Sequence, residues 1–301
     1  MGELHSYKGI AEGVQNTNYL VRTSKTSFIL TLYEKLVETK DLPFFLGLME
    51  HLATHDISCP LPVEDKNGQV LKTLSGRPAV MVTFLDGFSV NRPKRAHCAD
   101  LGEALGAMHV AGVDFAMSRA NALSVEGWRP LFEKCGEGMD EIHPGLHQLI
   151  ENELVYLEKN WPRDLPRGII HADLFPDNVF FLGNRLSGLI DFYFACNDFL
   201  AYDLAICLNA WCFEADSSFN MTNARALISG YEKTRPLNKQ DISALPLLCR
   251  GAALRFLLTR IYDFLNTPKD ALVNVHDPRE YLRKLRFHQQ IKSASEYGFE
   301  K

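Results

Sequence analysis

Apolar and polar residues alternate early in the chain, and apolar residues recur at helical spacing later. Tyr19-Leu20-Val21 and residues 28–33 are strand-like, and the polar residues 23–27 between them predict a turn. A helix is expected over about residues 42–55, where Phe45, Leu48, Met49 and Leu52 share a face and Glu50 lies beside it. Cys59-Pro60-Leu61-Pro62 breaks the chain. Val63-Glu64 and residues 69–74 then predict a hairpin around Asp65-Lys66-Asn67-Gly68, and residues 79–85 form an apolar strand that Asp86-Gly87 ends.

Beyond that point the pattern is mostly helical. Leu101, Leu105 and Met108 make a buried stripe on a helix over 96–111, with His109 in a core or helix-end role. Leu146, Ile150, Leu154, Leu157 and Trp161 mark a helix over 143–161, which Pro162 and Pro166 terminate. Residues 200–213, 217–233, 241–265 and 278–296 complete a helical subdomain. The expected fold class is therefore α+β in two lobes. A small antiparallel-sheet lobe spans residues 1–86 and binds nucleotide. A larger helical lobe spans residues 87–301, and a hinge near 85–89 has a cleft beside it.

Composition narrows the function classes. The 301 residues are 46% apolar and 23% charged, with a net charge of −5, which gives no reason to expect nucleic acid or an anionic membrane. No apolar run reaches the roughly 20 residues of a membrane span, and the first ten residues lack the apolar core of a secretory signal. Seven scattered cysteines without a C-x-x-C read as reduced thiols in a cytoplasmic protein.

The stretch from His171 to Phe192 carries the chemistry. It reads H-A-D-L-F-P-D-N, then a short apolar run, the turn Gly183-Asn184, and L-S-G-L-I-D-F. A loop holding Asp173 and Asn178 is thus tied by a hairpin to Asp191. Phosphoryl transfer uses such parts: one carboxylate positions the attacking hydroxyl, while an amide and a second carboxylate hold the magnesium that bridges the phosphates. Upstream, Gly9 and Gly13 flank a short polar insertion, with Asn16 and Asn18 just before a strand. Such a turn can lay backbone N–H groups over phosphates. It is neither a P-loop, since G-x-x-x-x-G-K-[ST] is absent, nor a dinucleotide fingerprint, since no helix follows.

The pattern H-A-D-L-F-P-D-N…I-D-F resembles the signature of the aminoglycoside phosphotransferase and choline kinase superfamily, which has a protein-kinase-like fold. Residues 6–18, 28–35, 42–51 and 250–265 look like the homoserine kinases of that fold. The resemblance implies an ATP-dependent small-molecule kinase that phosphorylates the hydroxyl of homoserine, a step of threonine biosynthesis, with ATP and Mg2+ as cofactors. It implies Asp173 as the catalytic residue, Asn178 and Asp191 as metal ligands, His171 as a loop support, and Asp203 as a scaffold that pins the loop. It also places Thr31 where a phosphate-binding Lys or Arg usually stands, so the phosphates rest more on the backbone of Gly9 to Gly13. Adenine would lie against Thr83 to Leu85. A zwitterion needs receptors for both charges. Arg255, with Arg250 and Arg260 on the same helix, is the candidate for the carboxylate. Asp177, Asp198 and Glu214 are candidates for the ammonium, and Tyr193 for a wall. Kinases of choline, ethanolamine, an aminoglycoside or methylthioribose are the alternatives, with a nucleotide-binding pseudokinase behind them. Oligomeric state stays open.

Overall fold

The computed structural model describes residues 2–10, 16–34, 38–268 and 275–299. Its N-terminal part is an antiparallel sheet of β1 (Leu4–Ile10), β2 (Asn16–Thr23), β3 (Ser27–Tyr33), β4 (Lys72–Leu74) and β5 (Arg77–Thr83), in the order β1-β2-β3-β5-β4. Directly opposed residues share a face, so the register groups side chains into rows. One row is Lys8, Leu20, Ile29 and Val82; the next is Ile10, Asn18, Thr31 and Val80. Tyr33, Val80 and Val82 on this face join the main core, so the sheet turns it toward the rest of the protein.

Helix α1 (Leu42–Thr54) follows β3 and buries Phe44, Phe45, Leu48, Met49 and Leu52 as the spacing requires. Glu50 is exposed. The hairpin expected over 63–74 does not form. Its turn is present, with Asp65 N–H donating to Gln69 O at 3.0 Å. However, Pro62 bridges Val82 and β4 pairs with β5, so both arms lie along the same edge of β5. A long apolar strand with a free edge outcompetes a two-residue arm.

The helical part contains α2 (Arg95–Ala111), α3 (Val125–Cys135), α4 (Met139–Ile142), α5 (Leu146–Asn160), α6 (Leu200–Trp211), α7 (Met221–Thr234), α8 (Lys239–Asn266) and α9 (Pro278–His288). The helix expected over 278–296 ends at His288 and resumes as a short 3-10 turn, Ala294–Tyr297. α8 is long and apolar enough to cross a membrane by length and composition, yet 67% of that stretch is buried inside the protein. It is a core helix, apolar nearly all round. Glycines let α2 and α7 meet backbone to backbone: a Cβ at Gly102 would collide with the Leu227 carbonyl, and one at Gly230 with Ala99. That approach sets His109 of α2 against Tyr231 of α7.

Two small antiparallel ladders frame the organising loop. β6 (Arg167–Ile170) pairs with β9 (Cys196–Phe199), and β7 (Val179–Leu182) pairs with β8 (Arg185–Leu189) through the Gly183-Asn184 turn. The β7–β8 hairpin is tied to the segment after β5 by Phe88 and Phe181, which exchange backbone hydrogen bonds at 3.0 Å.

Candidate active site

The loop from His171 to Asn178 is held from every side. Asp203, buried at the start of α6, accepts the N–H of His171 on Oδ2 at 2.7 Å and the N–H of Ala172 on Oδ1 at 2.9 Å. The Arg255 guanidinium donates to the Ala172 carbonyl at 2.6 Å. These contacts hold Ala172 at φ 64°, a left-handed conformation that costs a non-glycine residue about 1 kcal/mol. Trp211 Nε1–H donates to the Leu174 carbonyl at 2.7 Å, and His171 Nε2 lies 2.9 Å from the Ile190 carbonyl. The strained residue sits directly before Asp173 and aims its carboxylate.

Asp203 also anchors a buried chain. His109 Nε2 is 3.2 Å from Asp203 Oδ2, His109 Nδ1 is 2.8 Å from the Tyr231 hydroxyl, and Arg235 donates to that hydroxyl at 2.9 Å. A carboxylate can only accept, so Nε2 carries the proton and Nδ1 accepts from Tyr231. Burial lowers the His109 pKa and keeps the ring neutral. Burial opposes ionisation of Asp203, but the hydrogen bonds it accepts from His109 and from the His171 backbone N–H outweigh it and lower its pKa.

Asn178 Nδ2 donates to the Asp173 carbonyl at 2.8 Å, which turns Oδ1 the other way. Asp191, also left-handed at φ 63°, stands exposed at the end of β8, with no ion pair among the described residues. Burial pushes Asp173 up to about 8; Arg255 pulls it down, while Asp191, Asp177 and Asp203 push it up. The protein packed around its carboxylate likewise raises the Asp191 pKa, although the residue keeps an open surface to solvent, with the Tyr193 N–H opposing and Asp177 assisting. Asp173, Asp177 and Asp191 therefore crowd one another. A part-buried carboxylate with a pKa near neutrality suits a proton acceptor, and an all-oxygen set of Asn178, Asp177 and Asp191 suits a hard divalent cation.

On the sheet, Thr31 is buried and donates to Asn18 Oδ1 at 2.7 Å, and the Tyr33 and Tyr193 hydroxyls meet at 2.9 Å beside it. Asn16 lies opposite Tyr33 on the same face. The apolar row Leu20, Ile29 and Val82 adjoins the segment after β5, while the Asn18–Thr31 row lies one step further in. Thr83 exchanges backbone and hydroxyl hydrogen bonds with Leu61, so its N–H is occupied; Leu85 N–H meets no protein acceptor among the described residues. Gly9 is in β1, and Gly13 falls outside the described residues.

The model of the phosphotransferase enzyme family (APH) matches residues 6–237. The chain belongs to that family. A homoserine kinase of Xanthobacter autotrophicus is 62% identical over 298 residues, which cover 99% of this chain and 93% of that protein. Amicoumacin kinase shares the fold with a TM-score of 0.72 at 14% identity, over 97% of this chain and 90% of that one. The choline kinase LicA of Streptococcus pneumoniae gives 0.67 at 17% identity, over 96% and 95%.

This family member has a cavity of about 290 Å³ that reaches the loop through Arg255, whose guanidinium bonds the Ala172 carbonyl. Asp41, Glu38, Arg119, Arg255, Phe45 and Tyr193 are among its lining. Arg119 bonds Asp41 through Nε at 2.7 Å and the Ala195 carbonyl through one terminal nitrogen at 3.2 Å; the structure gives the other terminal nitrogen no bond among the described residues. Arg255 is buried and stacked on Phe256, and its Nε has no hydrogen-bond partner among the described residues. Arg250 pairs with Glu153 and Arg260 with Glu280, away from the cavity. Asp198 is buried and taken up by Asn121 and its neighbour's N–H, and Glu214 is exposed and bonded to Asn220. Arg119 and Asp41 are pocket residues that the sequence reading lacks; they lie 78 positions apart and carry no motif. A larger depression of about 440 Å³ beside α3 is lined by neither Arg255 nor Tyr193.

Proposed function

We propose that the chain transfers the γ-phosphoryl group of ATP to the hydroxyl of homoserine. One observation carries the choice of acceptor: the small cavity that reaches the loop through Arg255, which bonds the residue before Asp173, presents two guanidinium and two carboxylate groups, the complement of a zwitterion. At about 290 Å³ it suits a small metabolite, not an aminoglycoside. Relatives about 60% identical over nearly the whole chain are homoserine kinases, which supports the same acceptor.

In this reading Arg119 and Arg255 take the substrate carboxylate, and Asp41 and Glu38 take the ammonium. Tyr193 forms a wall. Asp173 accepts the hydroxyl proton as the oxygen bonds to the γ-phosphorus and the bond to ADP breaks, leaving O-phosphohomoserine. Residues 1–86 hold the nucleotide. Leu20, Ile29 and Val82 cover adenine, Leu85 offers its N–H, and Asn16, Asn18 and Thr31 face the phosphates. Asn178 and Asp191, with Asp177 beside them, would hold Mg2+, which supplies charge neutralisation on the phosphates. The seven cysteines are free and buried, which supports a cytoplasmic setting.

A coupled assay of ADP release with homoserine, choline and kanamycin tests the acceptor. Turnover dependent on homoserine is expected; inactivity with homoserine, or better turnover with either other alcohol, overturns the reading.

A further inference from the structure

The last turns of α1 and the 3-10 turn Gly112–Asp114 after α2 bring together three groups that phosphoryl transfer does not use. His51 lies in the last turn of α1 and His55 caps its C-terminus, and their ring centroids are 4.5 Å apart. Asp114 Oδ1 lies 3.4 Å from His51 Nε2 and 3.9 Å from His55 Nε2. The three donor atoms all lie within 4.8 Å of one another. A tetrahedral ion with bonds of about 2.0–2.1 Å holds its donors about 3.3 Å apart. The carboxylate and His55 are exposed, so small rotations close the remaining gap and an ion can enter from solvent.

The hydrogen bonds prepare the rings. His55 Nδ1 is 3.0 Å from the His51 carbonyl, which places the proton on Nδ1 and leaves the Nε2 lone pair facing Asp114. His51 Nε2 is 2.7 Å from the Ala111 carbonyl and donates to it without metal. An incoming ion takes the Nε2 lone pair as the ring changes tautomer, its one proton moving from Nε2 to Nδ1 so that the ligand stays a neutral imidazole, and the carbonyl remains as a neighbouring oxygen donor.

We propose that His51, His55 and Asp114 form a site for one divalent ion of the imidazole-preferring class, such as zinc, which staples α1 to the segment after α2. Imidazole donors select this class over the magnesium that an all-oxygen set prefers. The staple extends contacts already present along α1, where Phe115 packs on Phe44 and Arg119 pairs with Asp41. The seven cysteines are buried, so thiols do not compete for the ion in the folded chain.

Titration calorimetry with zinc, on the full chain freed of metal and held in excess magnesium, tests the proposal. One equivalent is expected to bind, with a rise in melting temperature. His55→Ala and Asp114→Asn, both at exposed positions, should each weaken binding tenfold or more and abolish the rise, while His147→Ala on exposed α5 leaves both intact. Absence of one-equivalent binding, or undiminished affinity in His55→Ala, overturns the site.

Discussion

Replacing Asp203 with asparagine tests how the loop is aimed. The carboxylate accepts the N–H groups of His171 and Ala172 on different oxygens and the His109 Nε2–H besides. An amide has one oxygen, so its NH2 must face a buried N–H donor. Each stranded donor costs about 1–3 kcal/mol, and breaking a buried charged network about 3–5 kcal/mol in all. Against a typical total of about 5–15 kcal/mol, urea melts should show a loss of about 3–5 kcal/mol. These bonds and Arg255 hold Ala172 left-handed, so without them Asp173 loses its aim, and kcat should fall about 10²-fold. Ala172→Gly in the same background removes the conformational penalty and should restore about 1 kcal/mol. A loss under about 1 kcal/mol with unchanged kcat would refute the reasoning.

The cavity and the buried histidines give further expectations. Arg119→Ala should raise KM for homoserine about 10–100-fold, the worth of a charged hydrogen bond, and leave KM for ATP unchanged; equal effects on both would contradict the zwitterion reading. His288 is buried against Tyr297 and Asn209, and burial with the Lys284 charge lowers its pKa to about 3. Its folded pKa lies below the unfolded value of about 6.5, so its stabilisation is complete above pH ~6.5 and is lost toward pH ~3 at about 1.4 kcal/mol per unit. Urea melts of His288→Gln should therefore depend on pH between 7 and 5 by about one proton less than the wild type; an identical slope would sink this assignment.

Local features were the legible ones. His171, Asp173, Asn178 and Asp191 lie within one short span whose spacing and turn define the loop, and α1, α2 and α5 follow their apolar stripes to within a few residues. Asp203 was legible as a scaffold only through the family resemblance, because a lone Asp at the start of an apolar helix carries no spacing that ties it to the loop. Pairings through space were not legible. Asp41 meets Arg119 across 78 positions, and β6 and β9 are four-residue strands whose pairing depends on the fold around them. The arms around residues 65–68 matched a hairpin pattern, but the free edge of β5 was the better partner. Arg255 was legible as a buried cation in an apolar helix, but not its bond to the Ala172 carbonyl, which commits part of its guanidinium to the loop.

The central claim is that Asp173 receives the proton of a small zwitterion's hydroxyl during phosphoryl transfer. Asp173→Asn keeps the Asp173 carbonyl that Asn178 uses, so the loop should stay in place and the variant should melt cooperatively. The direct measurement is single-turnover formation of O-phosphohomoserine from magnesium ATP by wild type and Asp173→Asn at equal saturation. The wild type should form product, and the variant should do so about 10²–10⁴-fold more slowly, the usual worth of a positioned general base. A folded variant that phosphorylates homoserine within tenfold of the wild-type rate would contradict it.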